Sequence, residues 1–123
     1  MKYNKSRSLA LSLRYAFSGI RHTLKAERNF KIHCVCGAAA IISTIMLPVD
    51  TLHTFMVIYA IFSVLCLELI NTAVEALTDL YCGESLTALA KIAKDCAAGA
   101  VLLASLQAVL IAILVARHII YRV

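Results

Sequence analysis

Residues 52–67 read LHTFMVIYAIFSVLCL, and the same helical pattern runs on through residues 68–79 as ELINTAVEALTD. Sixteen apolar or weakly polar positions followed without a break by carboxylates decide the fold class. The first part is long enough to enter a bilayer, which takes about 20 apolar residues as a helix. The second part carries Glu68, Asn71, Glu75 and Asp79. At about 100° per residue these four fall within a sector of roughly 80°. Ionisable groups in a membrane helix are costly, so their presence points to function. If the helix had already left the membrane, Asp79 and Glu75 would be ordinary solvated residues. That reading fits Glu68 poorly, because only His53, Thr54 and Ser63 interrupt the apolar run before it.

Outward from this segment the chain offers two more spans. Residues 34–49 read CVCGAAAIISTIMLPV and end at Pro48 and Asp50, while residues 96–116 carry no charge. The expectation is an all-α integral membrane protein of one domain, 1–123. It has an N-terminal amphipathic surface helix over about 5–28 and transmembrane helices over about 32–49, 52–81 and 94–118. In the surface helix, Leu9, Leu13, Phe17, Ile20 and Leu24 share a face, and Arg7, Arg14, Arg21 and Arg28 recur every seven residues beside it. Such a helix lies in the interface with its apolar face in the acyl boundary and its guanidinium groups at phosphate level. The first apolar run begins only after Lys31, too late for a cleaved leader.

Composition agrees. Of 123 residues, 62% are hydrophobic and 15% charged, and mean hydropathy is +0.86. A short soluble domain needs a polar shell that this chain lacks. Disorder is excluded by the same values. The net charge of +5 does not signal nucleic acid, because no Lys or Arg occurs between Lys31 and Lys91. The basic N-terminal segment and the Lys91/Lys94 flank instead place the N-terminus and the 82–90 connection on the cytoplasmic side. Five cysteines with no CxxC pair or Cys/His metal spacing read as small apolar residues. Cys96, Ala100, Ala104, Ala108, Ala112 and Ala116 recur every four residues, a register that suggests close helix contacts in lipid and oligomerisation.

Depth separates the carboxylates. Glu68 lies about 21 Å below Thr54 along the helix, Glu75 about 10 Å nearer the cytoplasm, and Asp79 about 6 Å beyond that. Glu27, Lys94 and Asp95 belong at the same inner face. Carboxylates beside lysines suit a metal-bound polyphosphate, since Mg²⁺ takes one or two carboxylates plus phosphate oxygens. No GxxxxGK[ST] loop or kinase HRD or DFG element is present. A small ion or proton transporter and a structural subunit are the competing classes. Composition and spacing establish a small membrane protein with an acidic site at its cytoplasmic face and do not by themselves establish nucleotide use.

Two segments carry a resemblance to a known family. They are Glu68-x-x-Asn71-Thr72-Ala73-x-Glu75-x-x-x-Asp79 and Ala93-Lys94-Asp95-x-Ala97-Ala98-Gly99-Ala100-Val101. Together they resemble the prokaryotic diacylglycerol kinase family. The Glu27-Arg28-Asn29-Phe30-Lys31-Ile32-His33 segment looks like its Gram-positive, undecaprenol-phosphorylating branch. Diacylglycerol-type members carry a second acid where His33 stands, and the Gram-positive pattern often has His-Pro at Thr87-Ala88. The resemblance implies a homotrimer with shared active sites at the cytoplasmic face of the cell membrane. It implies ATP- and Mg²⁺-dependent phosphorylation of undecaprenol, or alternatively of diacylglycerol to phosphatidic acid. By the same resemblance Glu68 is the catalytic base, and Glu27 and Glu75 are metal ligands. Tyr15, Glu27, Asn71, Glu75, Asp79, Lys94 and Asp95 contact the nucleotide, and Phe17, Gly19, Arg21 and Glu68 contact the lipid.

Overall fold

The computed structural model describes residues 9–83, 85 and 87–122, with Arg122 as backbone alone. Four helices follow in order: α1 (Leu9–Ala26), α2 (Arg28–Met46), α3 (Thr51–Cys82) and α4 (Ala88–Arg122), with no strand among the described residues. Residues 5–8 of the expected surface helix, Arg7 with them, lie outside the described residues, as do Glu84 and Leu86 of the second connection. Helices α2, α3 and α4 are each long and apolar enough to cross a membrane. The chain is thus a multi-pass, all-α membrane protein. The five cysteines are free thiols.

Local chemistry sets the helix ends. Glu27 alone separates α1 from α2. Its backbone is extended (φ −94°, ψ 121°), although its N–H still donates to the Thr23 carbonyl at 2.8 Å. Helix α2 therefore starts four residues before the span read from hydropathy. It stops at Met46 because Leu47 precedes Pro48 and is pushed into extended backbone (φ −108°, ψ 156°). Asp50 caps α3 by accepting the His53 N–H at 2.9 Å. The Asp50 carboxyl is held down at about 2, first by that backbone N–H and then by the His53 ring, so the cap is ionised at neutral pH. Gly83, at φ +56°, ends α3 and returns its N–H to the Asp79 carbonyl. Thr87 starts α4 six residues before the expected span, its hydroxyl accepting the Ala90 N–H at 3.2 Å. The extra turns carry Lys91, which lies before the expected span.

Helices α3 and α4 make the most extensive contact, α2 packs on α3, and α1 crosses both α2 and α3. Val57 and Ala60 of α3 meet Ile111 and Val115 of α4 in the core. The buried stripe of α3 continues through Val64 to Glu68 at helical spacing. In α2 the corresponding stripe is Phe30 and Gly37. The rest of the spans is uncovered within one chain: only 11–22% of each apolar window is buried. Leu102, Leu103 and Leu110 are 60–70% exposed, as a lipid-facing or subunit-facing surface requires. The apolar stripe of α1 is uncovered too, and Thr23 is its buried residue.

The four-residue register on α4 does not form one face. Four residues turn a helix by about 400°, so each step advances about 40° and the series from Cys96 to Ala116 rotates by about 200°. Ala104 is buried and Ala108 packs on the core, whereas Cys96, Ala112 and Ala116 are exposed. Ala104 therefore belongs to the interior of the single chain, and a bulkier residue there would disturb the chain's own packing.

Gly37 is the tightest point between α2 and α3. A Cβ there would stand 2.9 Å from Ile61 Cγ2, a branched methyl with little freedom to withdraw. Gly37→Leu should overpack this contact and cost about 1–3 kcal/mol. Thermal unfolding in detergent checks it. An unchanged Tm would mean that Ile61 yields freely.

Candidate active site

The polar residues gather where α1 passes into α2, α3 leaves the apolar zone and α4 begins. Glu68 supplies the deepest carboxylate and is 3% exposed, because its helix position continues the Val57–Ala60–Val64 stripe. His33 of α2 brings Nε2 to 3.3 Å from Glu68 Oε1, an ion-pair distance without hydrogen-bond alignment. Glu68 Oε1 and Asn71 Oδ1 are both buried without a hydrogen-bond partner among the described residues. Unsatisfied buried oxygens are costly and ask for an explanation.

One helical turn further, Asn71 Nδ2 donates to Glu75 Oε1 at 2.9 Å. Glu27, at the extended residue before α2, makes no capping hydrogen bond with its side chain. It stands, with Glu75, close enough to Glu68 for their charges to act on it. Lys94 of α4 donates to Asp79 Oδ1 at 2.8 Å, and Glu75 also acts on the Lys94 charge. Glu27, Glu68, Asn71, Glu75, Asp79 and Lys94 thus join one cluster from α3, α4 and the α1–α2 junction. Asp95 is 63% exposed on its side chain and pairs with Lys91 of its own helix, apart from the Lys94–Asp79 contact.

Beside the cluster, between α1 and α3, lies an apolar cavity of about 490 Å³. Tyr15, Gly19 and Thr23 line one wall and Leu69, Thr72 and Ala73 the other. Thr72 turns its hydroxyl back to the Glu68 backbone carbonyl at 3.0 Å, a bond within α3, and the Glu68 side chain is not part of the cavity lining. Tyr15 and Gly19 therefore share one cavity, while Phe17 is 69% exposed and Arg21 also points away from the core.

An all-oxygen carboxylate set with two orphaned buried oxygens nearby fits a hard divalent cation that keeps positions for phosphate. The His33 contact was invisible to motif reading. A helical stripe of Glu27, Phe30, His33 and Gly37 was the available signal.

The family described as prokaryotic diacylglycerol kinase matches residues 14–116, which include every member of the cluster. The chain belongs to the prokaryotic diacylglycerol kinase family. Among its relatives, a diacylglycerol kinase of Synechocystis is 43% identical over 104 residues, 85% of this chain and 59% of that protein. An undecaprenol kinase of Bacillus subtilis is 34% identical over 101 residues, covering 82% of this chain and 81% of that protein. A diacylglycerol kinase of Escherichia coli is 30% identical over 96 residues, 78% of each. The chain thus spans less than two thirds of the Synechocystis relative but about four fifths of the other two. The family resemblance read from the Glu68–Asp79 and Lys94–Asp95 segments is borne out. The named relatives are lipid kinases.

Proposed function

We propose that this protein is an integral-membrane lipid kinase. It transfers the γ-phosphate of ATP to the hydroxyl of undecaprenol, giving undecaprenyl phosphate and ADP. The observation that carries the reading is the buried Glu68 carboxylate, with an oxygen that makes no hydrogen bond, in an acidic cluster where α3 leaves the apolar zone. A lipid hydroxyl reaches that depth, and a nucleotide enters from the wetter side near Asp79 and Lys94. Glu68 takes the hydroxyl proton as the hydroxyl oxygen bonds to the γ-phosphorus. The bond from that phosphorus to the bridging oxygen breaks, and its electron pair leaves with ADP. Glu27 and Glu75 would hold Mg²⁺, which supplies charge neutralisation at the phosphate oxygens. Asn71 orients Glu75. Lys94, kept in place by Asp79, offers its ammonium to the phosphates, and Tyr15 and Asp95 contact the nucleotide from the edge. Gly19, Phe17 and Arg21 serve the lipid. The unit is a homotrimer, in which the uncovered apolar faces pack and sites are shared between subunits. The clustering of Lys25, Arg28, Lys31, Lys91 and Lys94 at the site end supports a cytoplasmic active face in the cell membrane.

His33 supports undecaprenol, since diacylglycerol-type members carry an acid at that position. The Synechocystis relative favours diacylglycerol as a second reading. Competition between both lipids in mixed micelles, with one labelled ATP pool, separates them. Undecaprenol should take more label. A higher diacylglycerol rate at equal mole fraction replaces the acceptor, and label in neither lipid with folded protein removes the kinase reading.

A further inference from the structure

At the opposite end of the bundle stands a second polar cluster. Asp50 lies in the turn before α3, His53 in the first turn of α3, and His118 near the end of α4. His53 Nδ1 is 2.8 Å from Asp50 Oδ1, and His118 Nε2 is 3.0 Å from Asp50 Oδ2. The two imidazoles stack with centroids 4.0 Å apart and planes 20° from parallel. One donor atom from each of the three residues falls within 4.8 Å of the others. The His53 backbone N–H, at 2.9 Å from Oδ1, also fixes the carboxylate in direction. The cluster is partly covered: the side chains of His53, His118 and Asp50 are 20%, 26% and 32% exposed. Eighteen residues of helix separate Asp50 from Glu68, about 27 Å at 1.5 Å per residue.

Two stacked imidazoles on one carboxylate are an unusual use of polar groups at the rim of an apolar bundle. Both cannot carry a proton without direct repulsion across the stack. Without an ion, the ring nitrogens facing Asp50 donate N–H to its carboxylate; in the other tautomer of the neutral ring the proton sits on the far nitrogen and the lone pair of the near one is free for a metal. Two imidazole nitrogens and one carboxylate oxygen are the donors that Zn²⁺ and its neighbours in the first transition row accept. Metal–nitrogen and metal–oxygen bonds of about 2.0–2.2 Å set donor atoms roughly 3.3–3.5 Å apart around a tetrahedral ion. To reach that spacing the two N···O separations of 2.8 and 3.0 Å would lengthen and the stacked rings would rotate apart, so that both nitrogens face one ion. Three protein ligands leave one position for water. The donor set differs from the all-oxygen cluster at the other end, so the two sites select different ions.

We propose that Asp50, His53 and His118 form a binding site for a divalent transition-metal cation, which clasps the start of α3 to the end of α4 away from the catalytic face. The ion replaces the two His–Asp contacts with direct bonds. It ties residues that lie far apart in sequence across the end of the core formed by Val57, Ile111 and Val115.

The test is Zn²⁺ titration of the full chain in detergent micelles after chelator treatment, read by calorimetry and by bound-metal content. Co²⁺ provides a visible spectrum for nitrogen ligation. The double variant Glu27→Gln/Glu75→Gln removes the acidic site as a competing sink. One equivalent should bind to that variant and raise its Tm. Adding His118→Asn should weaken binding by more than the roughly 10–100-fold typical of losing a group behind a metal ligand, and His53→Asn should do the same. In the otherwise unchanged chain, either histidine substitution should leave the lipid phosphorylation rate at the parental level, which reports folding. If His53→Asn fails to fold because it disturbs the α3 cap, His118→Asn, outside the cap, decides alone. Absence of Zn²⁺ binding in the Glu27→Gln/Glu75→Gln protein overturns the site. Equal affinity after His118→Asn in folded protein overturns it as well.

Discussion

Glu68→Gln should lower lipid phosphorylation by roughly 10²–10⁴-fold, the usual contribution of a positioned general base. The amide keeps the shape of the side chain but takes no proton from the lipid hydroxyl. Its structural effect should be small or favourable. Glu68 is 3% exposed, and its Oε1 makes no hydrogen bond that the exchange would break. Neutralising a buried carboxylate removes a desolvation cost. The folded Gln protein should therefore match or exceed the parental Tm, with ATP affinity retained and turnover lost. A purely structural role for Glu68, through the His33 contact at 3.3 Å, predicts the reverse: a lower Tm and normal turnover per folded molecule. Parental turnover in folded Gln protein would exclude proton removal by this residue, and positioning would then carry the reaction.

Glu75→Gln should lower activity by about 10²–10³-fold, the scale for removing one preorganised electrostatic partner of a charged transition state. The substitution is selective. Glu75 Oε1 accepts from Asn71 Nδ2 at 2.9 Å, and the Gln carbonyl oxygen accepts the same bond. Helix α3 and the Asn71 orientation are preserved, and one negative charge is lost from beside Glu27 and Glu68. A lost metal ligand also shifts the Mg²⁺ dependence to higher concentration. Measuring rate across a Mg²⁺ titration separates the two contributions. Near-parental rates throughout that titration would show that Glu75 holds no catalytic ion.

The two variants probe residues that were legible before any coordinates. Glu68, Asn71 and Glu75 stand at the spacing of Val57, Ala60 and Val64, so the inward face of α3 follows from helix geometry alone. Boundaries were less legible. Hydropathy places the first span where charges cease, but α2 begins at Arg28 because the chain turns at Glu27, and α4 begins early because Thr87 caps it. Those are local hydrogen-bond events that a hydropathy average does not register. The alanine register on α4 misled for a geometric reason, since a repeat of four drifts around a helix that turns every 3.6 residues.

The sequence by itself determined the class of protein, its three spans and its basic end, because a backbone in lipid must satisfy its hydrogen bonds within helices and only long apolar runs can do so. It also determined that Glu68, Asn71 and Glu75 share a face, because residues on one helix are related by a rigid rotation. Tertiary structure alone decided which other helices meet that face. It brought His33 to Glu68, Lys94 to Asp79, and His118 to Asp50. In each case the partners sit on different helices or, for Asp50, in the turn before α3, and their approach depends on helix rotation and crossing. Side-chain volumes such as the absent Cβ of Gly37 set that packing.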